Sequence, residues 1–273
     1  MAEVGAVVVC GGRSSRMGRA KALLPWRGRS LIEHVVEVLS AVVEDIVVVT
    51  SDDLTLPPLA ARVLVDEEPE QGPLAALAVG LSAVEAPLAY VTATDVPFLS
   101  PDLVRAVLGP GTAAAPVVDG FVQTLAAAYP TREGALTARR LLASGRRRPL
   151  ELLEALAYRP LEPAELPGLR GARGLNTPAE FLEALREDEP GATASLEFVG
   201  RPRALCGLDA LRVPVGTLAS VLARAPEPLV LCEGERVSRP YLVSLGGRDF
   251  VRDGRLPVGA GERVIVLDAA AGG

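Results

Sequence analysis

The sequence predicts two units in series: a Rossmann-like, doubly wound α/β domain over residues 1–187 and a small mixed α+β domain over residues 195–273. In the first part of the chain, short continuous apolar runs alternate with segments of helical periodicity, which favours a sheet covered by helices on both faces. Residues 188–194 are charged and then rich in proline and glycine, a composition that is typical of a linker. Beyond this linker, short strand signals are separated by turn residues.

Strand and helix signals alternate along the first domain. Residues 6–9 form a continuous apolar run, as expected for a parallel strand that is buried on both faces. Asp119-Gly120 predicts a hairpin turn between two strands within residues 117–129. The other predicted strands cover residues 46–49, 62–65 and 88–92, and the predicted helices cover residues 31–39, 73–84, 101–108, 131–142 and 177–186.

The second domain has a different pattern of shorter elements. Its length of about 79 residues is sufficient for a module with its own small core. Gly246-Gly247 indicates a hairpin turn. The predicted strands cover residues 195–199, 211–213, 229–232, 241–245, 248–251 and 263–267, with one helix over residues 217–222.

Composition and charge exclude several classes of function. The chain has 273 residues and a net charge of −6, which disfavours a general nucleic-acid binder because phosphate backbones require a basic surface. No apolar run reaches the roughly 18 residues of a membrane span. Cys10, Cys206 and Cys232 are widely spaced and odd in number, which disfavours a disulfide framework and a zinc site. We therefore expect a cytoplasmic protein with reduced thiols.

A glycine-rich turn follows the first predicted strand. Residues 11–21 read Gly-Gly-Arg-Ser-Ser-Arg-Met-Gly-Arg-Ala-Lys, and consecutive glycines let a backbone approach a phosphate closely. Arg16 and Lys21 add positive charge that can neutralise a triphosphate. Lys21 is the only lysine in the chain, and no Gly-Lys-Ser/Thr of a Walker A loop is present.

Two carboxylates follow predicted strands at the same sheet edge. Asp95 comes directly after the strand over residues 88–92, and Asp66 comes after the strand over residues 62–65. Mg²⁺ in such sites takes one or two carboxylates together with substrate phosphates, so Asp95 is the candidate ligand. Asp66 has neighbouring glutamates and is also compatible with a solvated acidic loop. His34 lies within a predicted helix, and we interpret it as structural.

These residues together resemble the MobA-type molybdenum cofactor guanylyltransferases, within the wider family of NTP-dependent nucleotidyltransferases. The likeness covers roughly residues 4–186. The segments that carry it are Val9-Cys10-Gly11-Gly12, Arg16-Met17-Gly18 with Lys21, Leu23-Leu24-Pro25, Gly72-Pro73-Leu74-Ala75, Asp95-Val96-Pro97-Phe98 and Asn176-Thr177-Pro178.

The resemblance implies roles for these positions. The implied catalytic residues are Lys21, Arg16 and Asp95, with Lys21 on the phosphates and Asp95 on Mg²⁺. The implied nucleotide contacts are Val9, Cys10, Gly11, Gly12, Lys21, Asp66 and Asp95, and Asn176 is placed on the pterin side. The reaction would join GTP and molybdopterin: the molybdopterin phosphate attacks the α-phosphorus, and pyrophosphate leaves without a general base. A nucleotidyltransferase that uses CTP or a sugar phosphate is the alternative.

The C-terminal segments resemble MoaD, the β-grasp, ubiquitin-like small subunit of molybdopterin synthase. The likeness rests on Phe198-Val199-Gly200-Arg201, Val213-Pro214-Val215-Gly216-Thr217, Val243-Ser244-Leu245-Gly246-Gly247-Arg248, Gly261-Glu262-Arg263-Val264 and the terminal Gly272-Gly273. It implies that Gly273 carries a thiocarboxylate, with a MoaE-like large subunit and a MoeB-like activating enzyme as partners. A thiamine-pathway sulfur carrier of the same fold, a non-catalytic binding module and a frayed chain end are the alternatives.

Overall fold

The computed structural model describes residues 3–11, 17–51, 54–66, 68–247 and 249–269. The chain forms two compact units. The first comprises residues 1–13, 20–23 and 31–175, and the second comprises residues 14–19, 24–30 and 176–273. Within the described ranges, every helix is too short or too polar to cross a bilayer.

The elements up to residue 188 follow the predicted alternation of strands and helices. The strands are β1 (Val4–Cys10), β2 (Pro25–Trp26), β3 (Arg29–Ser30), β4 (Asp45–Thr50), β5 (Arg62–Val65), β6 (Leu88–Ala93), β7 (Ala114–Val118), β8 (Phe121–Val122), β9 (Ala126–Pro130) and β10 (Arg159–Leu161). The helices are α1 (Leu31–Ser40), α2 (Pro73–Ala83), α3 (Pro101–Leu108), α4 (Thr131–Ala143), α5 (Pro149–Ala155) and α6 (Pro178–Asp188). Short 3₁₀ turns cover Lys21–Leu23, Pro69–Gln71, Pro163–Glu165 and Leu169–Ala172.

The first unit is built on one sheet with the strand order β10-β7-β9-β6-β1-β4-β5, and β8 pairs with β7. β1 is central and runs parallel to both β4 and β6, and β5 continues the parallel run beyond β4. β9 runs antiparallel to β6 and to β7, so the sheet is mixed. The predicted α/β architecture is confirmed. The antiparallel β9 makes the sheet mixed instead of wholly parallel.

Helices cover both faces of this sheet, as the continuous apolar run in β1 predicts. Alternate β1 residues enter two separate cores, because successive side chains of a strand point to opposite faces. Ala6 and Val8 pack with α1 and α3, whereas Val7 and Val9 pack with α2, α4 and α5. The ends of β1, β4 and β6 are therefore fixed by burial on two sides.

Local sequence signals account for two connections in this unit. Asp119 and Gly120 both have positive φ, at 51° and 79°, and they join β7 to β8 as the predicted hairpin turn. α5 and β10 have no counterpart in the sequence prediction. Both elements are short, and a seven-residue helix gives a weak periodic signal.

The second unit contains α6, β2 and β3 together with the elements after residue 188. Thr177 caps α6 by accepting a hydrogen bond from the Glu180 N–H at 3.2 Å, as its sequence predicts. The later elements are β11 (Thr193–Phe198), α7 (Arg201–Cys206), β12 (Ala210–Pro214), β13 (Gly216–Thr217), α8 (Leu218–Leu222), β14 (Cys232–Glu233), β15 (Arg236–Val237), β16 (Tyr241–Leu245), β17 (Asp249–Val251), β18 (Pro257–Val258) and β19 (Arg263–Asp268).

The sheet of the second unit has the order β12-β11-β19-β16-β17. In chain order, β11 is the first strand of this sheet and β19 is the last. These two strands are adjacent and parallel, and the other pairs are antiparallel. Residues 229–231, predicted as a strand, lie outside any strand, and only Cys232 of that segment belongs to one. α6 ends at Asp188 and β11 begins at Thr193, so both elements extend into the residues predicted as a linker.

Candidate active site

The candidate site begins where the parallel strands of the first unit end. The last β1 residue, Cys10, pairs with Thr50, the last residue of β4. On the other side of β1, Val9 pairs with Ala93, the last residue of β6. Because parallel strands end at one edge of a sheet, Gly11 and the residues after β6 leave the sheet side by side.

Lys21 and Asp95 form an ion pair at this edge. The Lys21 Nζ donates a hydrogen bond to the Asp95 Oδ2 at 2.6 Å, with the two side chains 21% and 15% exposed. Residues far apart in sequence are thus brought together, and partial burial strengthens the attraction between the two charges relative to a solvated pair. The pair places one cationic and one anionic group where β1 and β6 end, as a site for a metal–phosphate complex requires.

The segment that carries Asp95 is held by its neighbours in the first unit. The Leu175 N–H donates to the Asp95 carbonyl oxygen at 2.8 Å. Two residues further on, the buried His34 ring places its Nε2 3.0 Å from the Pro97 carbonyl oxygen. His34 therefore contacts backbone within the core, which agrees with its interpretation as a structural residue.

Asp66 lies at the same edge but further along the sheet. Its N–H donates to the Thr50 carbonyl oxygen at 2.7 Å, and its carboxylate accepts from the Glu68 N–H at 3.0 Å. In the order β6-β1-β4-β5, three strand spacings of about 4.8 Å separate the strand before Asp95 from the strand before Asp66. At roughly this separation, the two carboxylates do not share one metal ion, and Asp66 is suited to a contact further along an extended ligand.

The end of β1 offers backbone groups to a ligand. Val9 is 7% exposed and Cys10 is 1% exposed, so their side chains belong to the core, while Gly11 is exposed. Burial raises the pKa of the Cys10 thiol to about 11, a rise that a hydrogen bond with Thr50 partly opposes. Cys10 is therefore neutral at physiological pH and does not act as a thiolate nucleophile.

The remaining predicted residues fall in other parts of the chain. Gly12, Arg16 and Gly273 lie outside the described residues. Asn176 belongs to the second unit, where it is exposed and its N–H donates to the Glu180 carboxylate at 2.6 Å. The structure thus brings Lys21 and Asp95 together, and it leaves the role of Asn176 a prediction.

The donor set at Asp95 fits a magnesium ion that arrives with substrate phosphates. Among the described residues, no group of three or more His, Cys, Asp or Glu side chains could form an all-protein metal cage. Mg²⁺ commonly uses one or two carboxylates and completes its coordination with phosphate oxygens and water. Asp95 would supply one such carboxylate, and the neighbouring Lys21 would supply a positive charge for the phosphates.

Two features of this region were not predicted from the sequence. The Arg170 guanidinium lies 3.5 Å from the centroid of the Phe98 ring, three residues beyond Asp95. Gly174 lies against the Asp95 carboxylate: a Cβ placed on it would be 2.7 Å from the Asp95 Oδ1. The stretch Arg170-Gly171-Ala172-Arg173-Gly174 is unusually rich in arginine and glycine, which is the signal that could have drawn attention to it.

Solved structures define the class of the fold. Molybdopterin-guanine dinucleotide biosynthesis protein A from Archaeoglobus fulgidus is 24% identical with a TM-score of 0.55, covering 66% of this chain and 96% of that chain. The 2-C-methyl-D-erythritol 4-phosphate cytidylyltransferase from Thermus thermophilus is 23% identical with a TM-score of 0.53, covering 66% of this chain and 96% of that chain. At these identities the likeness shows the fold alone, which is the α/β nucleotidyltransferase fold.

Sequence relatives define the family. Residues 6–175 match the family described as the MobA-like NTP transferase domain. A Mycobacterium avium protein named as a probable molybdenum cofactor guanylyltransferase is 38% identical over 194 residues, covering 68% of this chain and 96% of that protein. A Chloroflexus aggregans protein with the same name is 34% identical over 194 residues, covering 64% of this chain and 90% of that protein. The chain belongs to the family of MobA-like NTP transferase domains, and it is a nucleotidyltransferase.

Proposed function

We propose that the protein transfers GMP from GTP to the phosphate of molybdopterin or Mo-molybdopterin, with release of pyrophosphate, in the cytoplasm. The observation that carries the proposal is the Lys21–Asp95 ion pair at the edge where β1 and β6 end. The names of the Mycobacterium avium and Chloroflexus aggregans relatives support the assignment to guanylyl transfer and to the molybdenum cofactor.

The residues of the site have two roles: they bind the nucleotide, and they neutralise the charge of its phosphates. The backbone from Val9 to Gly11 contacts the nucleotide, and Asp66 contacts it further along the edge. Lys21 holds phosphate oxygens and offsets the charge that develops on the leaving pyrophosphate. Arg16 and Gly12 would also contact the phosphates.

Proton transfer is not required of any side chain. The acceptor phosphate is already an anion at neutral pH, and its oxygen forms a bond to the α-phosphorus of GTP. The bond between this phosphorus and the bridging oxygen breaks, and the electron pair leaves with pyrophosphate. His34, the only histidine in the chain, is buried and directed to a backbone carbonyl, which agrees with a mechanism that uses no histidine base.

Asp95 is the residue that would hold Mg²⁺, and the ion when bound would neutralise negative charge on the substrate phosphates. Before a ligand enters, the Asp95 carboxylate is paired with Lys21. An incoming triphosphate would compete with Asp95 for Lys21, and this exchange would free the Oδ2 of Asp95 from its ion pair. Lys21 and Asp95 therefore select a metal–nucleotide complex over either component alone.

The choice of nucleotide is tested by incubating the full chain with Mg²⁺ and molybdopterin, in parallel with GTP or CTP. Pyrophosphate release that requires both GTP and molybdopterin is the expected result. Preference for CTP, or release driven by a sugar phosphate instead of molybdopterin, would replace the guanylyl assignment with the alternative of a related nucleotidyltransferase. An Asp95→Asn protein serves as the matched control for release that does not depend on this site.

We further propose that residues 195–273 form a MoaD-like β-grasp sulfur-carrier domain; the connection before it spans residues 189–192, between α6 and β11. Support comes from the strand order β12-β11-β19-β16-β17, with the first and last strands adjacent and parallel at the centre. The buried residues of this sheet and of α8 form one apolar core of their own. A β-grasp unit that serves only as a binding module is the alternative.

The sulfur-carrier chemistry would take place at Gly273. A MoeB-like enzyme would adenylate the terminal carboxylate with ATP, releasing pyrophosphate, and a sulfur donor would then displace AMP to leave a thiocarboxylate. A MoaE-like subunit would accept the sulfur for the pterin dithiolene. Two consecutive glycines suit this use, because glycine has no side chain that would obstruct entry into a narrow channel.

Intact mass spectrometry of the full chain tests the carrier role directly. After incubation with the activating enzyme, ATP and a sulfide source, we expect a mass gain equal to one exchange of sulfur for oxygen. A chain that lacks Gly272-Gly273 should show no gain under the same conditions. As a control, the same activating enzyme must modify its own carrier protein. If it does so while the mass of the intact chain stays unchanged, the carrier role is wrong and the binding-module alternative applies.

A further inference from the structure

Gly174 occupies a position where any side chain would meet the Asp95 carboxylate. A Cβ built on Gly174 lies 2.7 Å from Oδ1, 3.2 Å from Cγ and 3.4 Å from Oδ2 of Asp95. All three carboxyl atoms face this one backbone position. The φ of Gly174 lies outside the left-handed region, so space and not backbone conformation requires glycine here.

Two hydrogen bonds define the position of Asp95 beside Gly174. The Leu175 N–H, on the residue after Gly174, donates to the Asp95 carbonyl oxygen at 2.8 Å and fixes the two backbones against each other. Leu175 itself is 8% exposed, which anchors this segment in the first unit. The Lys21 Nζ holds the Oδ2 of Asp95 at 2.6 Å. The Asp95 carboxylate thus has an ammonium group on one oxygen and the Gly174 backbone against the other.

We propose that Gly174 is a positioning residue for Asp95, because the absence of a side chain at residue 174 leaves room for the Asp95 carboxylate. The space at Gly174 admits the carboxylate orientation in which the Asp95 Oδ2 pairs with Lys21. This inference deepens the proposed function and rests on it, because the orientation of Asp95 matters for turnover only if Asp95 serves the nucleotide complex. A methyl group at residue 174 would rotate or displace the carboxylate without removing any charge.

The single lysine of the chain provides a probe that reads this geometry without nucleotide. Selective isotope labelling of lysine gives one side-chain NMR signal, from Lys21. In the nucleotide-free Gly174→Ala protein, we expect this signal to move from its wild-type position toward its position in Asp95→Ala. An unchanged Lys21 signal in a folded Gly174→Ala protein would overturn the proposal, whatever the protein does with GTP.

A second measurement connects the geometry to the site. Gly174→Ala should weaken the binding of Mn²⁺–GTP, measured by titration of Mn²⁺ electron paramagnetic resonance, by about 10- to 100-fold, as is typical when support for a metal ligand is lost. In an Asp95→Ala background the same change should have no further effect on binding. If wild-type protein fails to bind Mn²⁺–GTP, the proposed function fails, while the Lys21 signal still decides the role of Gly174.

Gly171 supplies a matched control in the same segment. A Cβ on Gly171 would lie 2.6 Å from the Phe98 carbonyl oxygen and 3.0 Å from the Leu99 Cα, which are backbone atoms. Gly171→Ala should therefore lower the melting temperature at least as much as Gly174→Ala, with a smaller displacement of the Lys21 signal. A larger Lys21 displacement in Gly171→Ala would contradict the specific contact between Gly174 and Asp95.

A folding defect in Gly174→Ala would itself be informative. If the single variant fails to fold, the double variant Asp95→Ala/Gly174→Ala should recover folding, because the space of the missing carboxylate admits the added methyl group. Recovery measured by circular dichroism supports the proposal. Failure of the double variant beside a folded Asp95→Ala protein would show that the methyl group clashes elsewhere, and the proposal would fall.

Discussion

The two sheets of the molecule differ in how their central strands are buried. In β1 of the first unit, every residue from Gly5 to Cys10 is buried. In β11 of the second unit, buried residues alternate with half-buried ones over the six residues Thr193–Phe198. The first sheet lies between two layers of helices, whereas the second packs one face onto its core.

This difference determines where each sheet can present side chains to a ligand. A strand buried on both faces has no side chain to offer a ligand, so its chemistry is confined to the residues just after its end, such as Asp95. A strand with one exposed face can present side chains along its whole length. The first unit therefore concentrates polar function at one edge, and the second unit exposes a surface instead.

The largest expected effect comes from removing charge at the edge of the first sheet. Asp95→Asn and Lys21→Ala should each lower the rate of pyrophosphate release by roughly 10²- to 10³-fold, the usual range for a lost electrostatic contact. Neither change should greatly alter the melting temperature, because both side chains are partly exposed. Activity is measured with GTP and molybdopterin, and the fold is checked by circular dichroism.

Lys21→Arg sharpens this prediction, because it keeps the positive charge. The planar guanidinium cannot reproduce the compact ammonium contact with Asp95 and phosphate, so turnover should still fall. Arg139, an exposed arginine on α4, offers a control through Arg139→Lys, which should retain wild-type turnover. Wild-type activity in Lys21→Arg would remove Lys21 from the site.

Core substitutions compare the two sheets directly. Val7→Ala and Val8→Ala should each destabilise the first unit by on the order of 1–3 kcal/mol, because both side chains are fully buried on opposite faces. In β11, Leu196→Ala should cost about 2–5 kcal/mol, and its neighbour Ser195→Ala should stay within about 0.5 kcal/mol. Urea unfolding measures the differences, and a neutral Val7 or Val8 variant would contradict burial on both faces.

Thiol reactivity gives a smaller contrast between the units. Cys10 is buried and its pKa is raised to about 11, whereas Cys206 and Cys232 in the second unit are half-buried. Iodoacetamide at neutral pH should therefore modify the latter two residues first, leaving Cys10 unmodified until the protein unfolds. Peptide mass spectrometry identifies the modified sites, and rapid labelling of Cys10 would contradict its burial.

The smallest effect concerns acid stability of the second unit. The Arg263 guanidinium donates hydrogen bonds to Glu197 and holds the pKa of that carboxyl below its ordinary value of 4.5. A lowered folded-state pKa contributes stability above the ordinary value, and that contribution is lost as the pH falls below it. The wild-type melting temperature should fall slightly more than that of Glu197→Gln between neutral pH and about pH 3. An equal fall in both proteins would show that the pair contributes nothing.

Much of the first unit was predictable, because its strands are continuous apolar runs and its helices have clear periodicity. The antiparallel pairing of β9 with β6 was not, since it joins segments that are distant in sequence. In the second unit, residues 229–231 are apolar without forming a strand. Leu229 and Leu231 are buried in the core, so burial of a loop produced the same signal as a strand.

From the sequence, only those residues of the candidate site that follow the ends of strands were predictable. Lys21 and Asp95 follow from a charged turn and a carboxylate that leave the same sheet edge. Gly174 could not be found this way, because its significance arises from the contact of a distant segment with Asp95. A glycine that is needed for space gives no local turn signal when its backbone conformation is ordinary.

The most direct test of the central claim is the NMR signal of Lys21 during titration with Mg²⁺–GTP. Because Lys21 is the only lysine, its signal reports the edge of the first sheet without assignment of other residues. We predict a saturable shift as the triphosphate replaces Asp95 as the partner of Lys21, and no such shift in Asp95→Ala with Mg²⁺ alone. A signal that stays unchanged at saturating Mg²⁺–GTP would contradict the claim that this edge binds the nucleotide.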